Sequence, residues 1–249
     1  MKHLTKSQCK TVVNNLCKQI KDYLGHKIAI IGLSGGIDST VAAALCVRAL
    51  GTARVFGVLL PHTNIPGNTS FETGMLVHKW LELNSRLIEI NKTSQLIQKE
   101  FKDCTGHNAS KLAIGNTESR IRMVYLYLFA NNMNGLVIGT SNKTELKIGY
   151  CTKGGDGLID IEPIGDLYKF EVYDIARYLK VPKIIINKVP SADLYAGQTD
   201  ESEIGYTYED IDRMLIGEIP MTDLLKQRIQ NNKHKMCMPP VFLGGNSCE

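Results

Sequence analysis

Gly32-Leu33-Ser34-Gly35-Gly36-Ile37-Asp38-Ser39 is the stretch whose reading decides the fold. The apolar run Ile28-Ala29-Ile30-Ile31 precedes it and reads as a buried strand, and Thr40-Val41-Ala42-Ala43-Ala44-Leu45-Cys46 follows and reads as a helix. Strand, glycine turn and helix make an anion site, because the first N–H groups of a helix lack internal partners and its dipole adds partial positive charge there. Gly35 and Gly36 have no Cβ, which lets a phosphate approach the backbone and admits positive φ. Ser34 and Ser39 add hydroxyl donors. Asp38 is the odd member: a carboxylate beside a phosphate cradle repels the ligand unless a cation lies between them, which implies Mg²⁺.

Two better-known phosphate loops fail here. Walker A needs Lys after the glycines, and G-x-G-x-x-G is absent. A plain strand-to-helix turn with capping serines needs fewer small and polar residues than stand in this order. The stretch closely resembles the Ser-Gly-Gly-x-Asp-Ser loop of the N-type ATP pyrophosphatases. That resemblance implies an enzyme that splits ATP between its α- and β-phosphates and adenylates a substrate.

Outward from this loop the chain alternates strands and helices. Thr5 with Gln8 fits a capping box, and Val13, Leu16, Ile20 and Leu24 recur at helical spacing until Gly25. Strands are expected near 27–33, 54–60, 86–90 and 136–139. Helices are expected after each, one of them capped by Thr69 with Glu72 and another covering 116–132 with Ile121, Val124, Tyr125 and Leu128 on one face. Residues 104–115 read as a polar loop. This order predicts a doubly wound α/β fold, its mainly parallel sheet flanked by helices, Rossmann-like and similar to the adenine nucleotide alpha hydrolases. In such sheets ligands bind beyond the C-terminal ends of the strands, which here carry 34–39, 62–68 and 140–145. The glycine-rich stretch 149–166 reads as a loop over that end, with Gly149–Ile161 as a candidate lid. A helix near 169–180, a polar loop over 190–205 and short helices near 207–216 and 221–233 complete a single expected domain, 1–249.

Composition excludes several classes. The net charge of +4 is mild and no block of five or six like charges occurs, so a nucleic-acid partner is not expected. No apolar run reaches the ~18 residues of a membrane span, and the N-terminus lacks a signal peptide's apolar core, which points to the cytoplasm. Seven cysteines without a C-x-x-C argue against a disulfide framework or a zinc ribbon and fit the same reducing compartment.

Glu145, in Thr140-Ser141-Asn142-Lys143-Thr144-Glu145 after the fourth strand, can face Asp38 across the cleft; two carboxylates on one phosphate site make sense with a metal between them. Taken alone, Glu145 reads rather as a solvated residue on a short helix. Arg120 and Arg122 lie two apart and so point to different faces of a helix, one open to a ligand and the other to structural pairing.

Together these motifs resemble one family, NAD synthetase, over nearly the whole chain. The match is carried by Asn116-x-x-x-Arg120-x-Arg122-Met123, by Gly139-Thr140-x-Asn142-x-x-Glu145-x-x-x-Gly149-Tyr150-x-Thr152-Lys153-x-Gly155-Asp156-Gly157, and by Asp160-x-x-Pro163-Ile164-x-x-Leu167-x-Lys169. Pro190-Ser191-Ala192-Asp193-Leu194, Gln198-Thr199-Asp200-Glu201 and His234-Lys235 continue it. The resemblance implies that ATP adenylates the carboxylate of deamido-NAD, releasing pyrophosphate, and that ammonia then displaces AMP to give NAD. It implies ATP contacts at Gly32, Leu33, Ser34, Gly35, Gly36, Ile37, Asp38, Ser39, Thr140, Lys169 and Ser191. It implies deamido-NAD contacts at Arg120, Lys153, Asp160, His234 and Lys235, Mg²⁺ on Asp38 and Glu145, and Asp156 as the group that holds ammonium and takes its proton. Asp38 and Lys169 join Asp156 as catalytic candidates. A homodimer with the dinucleotide site at its interface is implied as well. With no Cys in a nucleophile setting and little chain outside these motifs, the expected nitrogen source is free ammonia rather than glutamine. Another N-type pyrophosphatase, GMP synthetase-like or tRNA-modifying, is the alternative enzyme, and an ATP-binding module without turnover is the alternative outside enzymes.

Overall fold

Four short runs, three of them rich in aliphatic residues, pair into one parallel sheet, and the chain between them folds into helices that cover both of its faces. The computed structural model describes residues 1–63, 69–191 and 199–242. Expectations for 64–68, for Ala192, Asp193, Leu194 and Gln198, and for Cys248 lie outside the described residues.

The elements run α1 (Lys6–Leu24), β1 (Ile28–Gly32), α2 (Ile37–Leu50), β2 (Val55–Leu59), α3 (Ser70–Leu81), β3 (Asn84–Leu87), α4 (Asn91–Thr105), α5 (Lys111–Asn132) and β4 (Gly135–Ile138). Then follow α6 (Lys143–Ile148), α7 (Lys169–Tyr178), α8 (Lys183–Ile186), α9 (Asp200–Ile204), α10 (Tyr208–Leu215) and α11 (Asp223–Asn232). The strand order is β3-β2-β1-β4 and every pairing is parallel. From β1 the chain steps outward through β2 to β3, then returns through α5 to place β4 on the other side of β1. The loops leaving β1 and β4 therefore part, and the crevice between them is where an open parallel sheet binds ligands.

β1, β2 and β4 are apolar on both faces of the sheet, whereas the edge strand β3, Asn84-Ser85-Arg86-Leu87, is largely exposed. Ala29, Ile31, Val55, Leu59 and Ile138 face one core with α1, α2 and α7. Ile30, Phe56, Val58 and Val137 face the other with α5. Each fully buried aliphatic side chain contributes about 1.5–3 kcal/mol, so this two-faced sheet is the main source of stability and a rigid base for the loops at its end. A third cluster, Ile148, Ile204, Tyr208, Ile211, Met214 and Leu225, packs α9, α10 and α11 against α6. The chain also returns beside β4 at residue 161: Gly139 N–H donates to Ile161 O at 2.8 Å and Asp160 N–H to Val137 O at 3.0 Å.

Several local expectations need correction. Thr5 and Gln8 do form a capping box. Thr69 makes no side-chain cap; its backbone sits at φ −102°, ψ 8°, and its carbonyl instead accepts from Thr73 N–H and Oγ1. The third strand ends at Leu87, and the apolar residues beyond it, Ile88 and Ile90, carry the chain into α4. α5 begins five residues earlier than 116, capped by Ser110 on Ala113 N–H, and takes Gly115 into its buried face. On α5 Ile121 is buried as expected, but Val124 and Leu128 point outward, and Met123, Leu126 and Ala130 face the sheet. Polar and apolar residues are mixed round this helix rather than gathered on opposite faces, so spacing alone does not tell which stripe is core.

Candidate active site

The loop 33–36 and the start of α2 form a tight cup. Gly35 sits at φ +72°, and a Cβ there would stand 2.1 Å from Thr73 Oγ1 on α3, so both backbone angle and space demand glycine. Gly36 is extended (φ −78°, ψ 161°) as the N-cap of α2, which corrects the expectation of positive φ at that position. Gly36 N–H donates to Ser34 Oγ at 3.2 Å, Ser34 Oγ meets Ser39 Oγ at 2.9 Å, and Ser39 Oγ donates to Gly36 O at 3.1 Å. The two serines thus fold the loop on itself beside the open N-terminus of α2.

Asp38, in the first turn of α2, is met from the other side of the switch point. Asn142 Nδ2 donates to Asp38 Oδ1 at 2.9 Å, and Lys169 Nζ donates to Asp38 Oδ2 at 2.6 Å. The same ammonium lies 3.4 Å from Glu145 Oε1. Asn142 and Glu145 are a capping box at the start of α6, with Glu145 Oε2 accepting from Asn142 N–H at 3.1 Å, so the turn that begins this helix also aims Glu145. Lys169 opens α7 and is 2 % exposed. The two carboxylates expected to converge on a metal converge here on a buried lysine, and the described residues hold no cluster of three or more His, Cys, Asp or Glu arranged as a metal site.

A second tier backs this cluster. Tyr208 Oη lies 2.9 Å from Glu145 Oε1 and 3.0 Å from Asp200 Oδ2, and its ring lies under the Lys169 ammonium at 4.3 Å. Tyr150 Oη reaches Asp200 Oδ1 at 3.2 Å and Glu203 Oε2 at 2.9 Å. Burial raises Glu145 above the ordinary carboxylate range; Lys169 opposes that rise and Asp38 adds to it. Burial opposes the charge on Lys169, but Asp38 and Glu145 outweigh it and hold the ammonium firmly protonated. Burial likewise raises Asp200. Glu162 is pushed up to about 8 by burial, against the Ser141 N–H that donates to it at 3.1 Å.

Two cavities adjoin the cluster. The smaller, about 160 Å³, is walled by Ser34, Gly36–Ser39, Thr140, Glu145, Asp156, Lys188 and Ser191 among others. The larger, about 680 Å³, runs from Gly32–Ser34 past Leu60, His62, Phe71 and Met123 to Asn116, Ser119, Arg122, Asp156 and Lys235. Its floor of sheet-end and α5 side chains is apolar, with polar groups at the rim, as small-molecule sites commonly are.

The sequence-derived candidates fall into three groups. Gly32–Ser34, Gly36–Ser39, Thr140, Glu145, Asp156 and Ser191 line the cavities, Gly35 is packed against Thr73 instead, and Lys169 stands directly behind Asp38 and Glu145. Arg120, Lys153, His234 and Lys235 gather round Gly149–Gly157. Arg120 donates to Lys153 O at 3.1 Å, Lys153 Nζ to His234 O at 3.1 Å, and Lys235 Nζ to Gly149 O and Cys151 O at 3.2 and 3.0 Å. Asp160 faces the end of β4, where its Oδ2 accepts from Val137 N–H at 2.7 Å. Of the arginine pair it is Arg122 that lines the larger cavity, its Nε donating to Leu60 O at 3.0 Å. Residues that sequence reasoning left without a role include Asn142, Tyr150, Asp200 and Tyr208, and also Glu118, fully buried with Oε1 3.1 Å from His62 Nδ1 and accepting from Ser94 at 2.8 Å. The acidic and aromatic residues near 200–208 carry no signal of their own, because Tyr208 meets Glu145, 63 positions away, only through the tertiary fold.

A doubly wound sheet, a serine-glycine cup at its switch point and a carboxylate–lysine cluster beside it make up the candidate active site of an α/β protein. The NAD synthase family model matches residues 10–239, and the chain belongs to that family. The NH(3)-dependent NAD(+) synthetase of Archaeoglobus fulgidus is 45% identical over 240 residues, covering 92% of this chain and 95% of that one. Among solved structures, the NMN synthetase of Francisella tularensis superposes with a TM-score of 0.83 at 33% identity, covering 96% and 98% of the two chains. The NH3-dependent NAD synthetase of Campylobacter jejuni superposes with a TM-score of 0.74 at 34% identity, covering 94% and 99%.

Proposed function

We propose that this chain joins ammonia to deamido-NAD at the expense of ATP, giving NAD, AMP and pyrophosphate through an acyl-adenylate. The observation that carries the reading is the Asp38–Lys169–Glu145 cluster beside the Ser34–Ser39 cup, in a chain of the NAD synthase family. Carboxylates are poor electrophiles, and adenylation supplies a leaving group. The charge that builds on the departing pyrophosphate meets the N-terminus of α2 and the serine hydroxyls, and a buried ammonium steadies Asp38 beneath it. Thr140, Lys169 and Ser191 complete the ATP side; Arg120, Lys153, Asp160, His234 and Lys235 serve the dinucleotide side, with Gly149–Ile161 as the lid over both.

In the smaller cavity Asp38, Glu145, Asp156 and Asp200 face one lysine, Lys188, among the described residues that line it. An acidic wall of hard oxygen donors at a polyphosphate site fits Mg²⁺, which is held by one or two carboxylates and the substrate's own phosphates. Asp38 and Glu145 would hold it, and it would neutralise charge on the phosphates. Asp156 receives ammonium and takes its proton before attack.

The outer faces of α4 and α5 carry Leu96, Ile97, Phe101, Leu112, Val124 and Leu128 exposed, which supports a homodimer through these helices. No described helix is long and apolar enough to cross a membrane, and the six described cysteines are unpaired, which is compatible with a reducing, cytoplasmic setting.

The likeness to an NMN synthetase favours one second reading, in which the substrate is the corresponding mononucleotide acid. Pyrophosphate release separates the readings: ATP and ammonium are supplied with deamido-NAD, with nicotinic acid mononucleotide, or with neither. Release and NAD formation with deamido-NAD are expected. A preference for the mononucleotide moves the assignment to the second reading, and no release with either sinks both.

A further inference from the structure

Asp156 is built into the lid so that α5 governs both bonds to one of its oxygens. Ser119 Oγ donates to Asp156 Oδ1 at 2.8 Å, and Thr152 N–H donates to the same oxygen at 2.9 Å. Ser119 Oγ accepts in return from Asp156 N–H at 3.2 Å, closing a two-bond clasp between helix and lid. Thr152 is itself fixed from α5, its hydroxyl donating to Asn116 Oδ1 at 2.8 Å. The clasp needs the glycine that precedes Asp156: a Cβ on Gly155 would stand 2.2 Å from Ser119 Oγ. Among the described residues no hydrogen bond reaches Asp156 Oδ2, and Asp156 lines both cavities.

We infer that Ser119 is a positioning residue for the amination step: it occupies Asp156 Oδ1 and thereby turns Oδ2 toward the incoming ammonium. A carboxylate free to spin about its last bond presents either oxygen in many directions. One whose Oδ1 is tied by a hydroxyl and an amide presents one acceptor in one direction, the pre-organisation that an attacking nitrogen needs. Adenylation does not use this geometry, since it occurs at the cup and the carboxylate–lysine cluster. The inference rests on the role proposed for Asp156.

The test splits the half-reactions in Ser119→Ala, Ser119→Thr, Asp156→Asn and the Ser119→Ala/Asp156→Asn double variant of the full chain. Adenylate formation is read by pyrophosphate exchange without ammonium, and amination by NAD formation across a range of ammonium. Ser119→Ala should leave exchange within about twofold of wild type, raise KM for ammonium and slow amination by about 10-fold, the scale of a lost positioning contact. Ser119→Thr, which keeps the hydroxyl, should restore most of that loss. The double variant should be no slower than Asp156→Asn alone. If Asp156→Asn is slow in amination while Ser119→Ala matches wild type, or if Ser119→Ala slows both half-reactions equally, the positioning role is overturned. If Asp156→Asn itself aminates at the wild-type rate, the failure lies in the assignment of Asp156.

Discussion

Replacing Lys169 with Met tests the charge balance on which the site rests. Met keeps most of the stem and removes the ammonium that touches Asp38 Oδ2 at 2.6 Å and Glu145 Oε1 at 3.4 Å. Breaking a buried ion pair from one side costs about 3–5 kcal/mol, because the surviving charge stays buried without a partner. Here two carboxylates survive, but their side chains are 17 % and 13 % exposed and retain some water, so the lower end, about 3 kcal/mol at neutral pH, is expected. Set against a typical domain stability of about 5–15 kcal/mol, that is a large loss which still leaves a folded protein. The loss must depend on pH. Burial already raises Glu145, and losing the cation raises it further. A group raised in the folded state contributes stability that is complete at low pH and disappears as pH climbs through its folded value. The deficit of Lys169→Met relative to wild type should therefore be small near pH 5 and grow toward about pH 8. Urea unfolding of both proteins at the two pH values measures it, and adding Asp38→Asn to the variant should recover part of the deficit at the higher pH. A deficit equal at both values, or none at the higher one, would refute the view that the lysine is the counter-charge of this cluster.

Asp38→Ala and Glu145→Ala should each slow pyrophosphate release by about 10²–10³ while circular dichroism stays unchanged; wild-type release by Asp38→Ala would remove it from the phosphate site. Gly35→Ala forces a Cβ onto Thr73 and a side chain into positive φ, and a thermal melt should show a loss of about 1–3 kcal/mol together with weakened ATP binding. Glu162, raised to about 8 by burial, makes folding less favourable as pH rises from ordinary carboxylate values through about 8; Glu162→Gln should flatten the fall in urea midpoint across that window, and an unchanged slope would count against it. Leu128→Glu on the exposed face of α5 should convert a dimer to monomers in light scattering, whereas a monomeric wild type would end the dimer proposal.

Three of the four strands were legible because their residues are locally consistent, apolar runs of four or five with helices between them, whereas β3 is polar and exposed and its expected bounds fall too late. The serine-glycine turn before α2 was legible for the same reason, since its small and polar residues act on their own backbone. What stayed hidden depends on contacts far apart in sequence. Asp38 and Glu145 suggested Mg²⁺ from the sequence; that Lys169, 131 positions beyond Asp38, also reaches both carboxylates follows only from the tertiary fold. Arg120 and Arg122 could be told apart only by which way α5 rolls on the sheet, and the outward turn of Val124 and Leu128 has the same cause. Thr69 misled because a cap is set by backbone angle as much as by residue type.

The segment that carries Asp156 is anchored at both ends. It begins at Gly149, at φ +64°, where a Cβ would lie 2.4 Å from Asn232 Cβ, and it ends with Ile161 bridged to Ile138 beside β4. Its length is thus governed as a strand's register is. One inserted residue would either slide Ile161 past Ile138 and reverse which side chains face the core, or carry Asp156 a full residue away from Ser119. An engineer seeking a site for a peptide tag or a longer loop should avoid this span and turn instead to surface turns such as Gly106 and Gly217, where an added Cβ meets nothing. Diversity within residues 149–161 has to come from exchanging side chains at constant length.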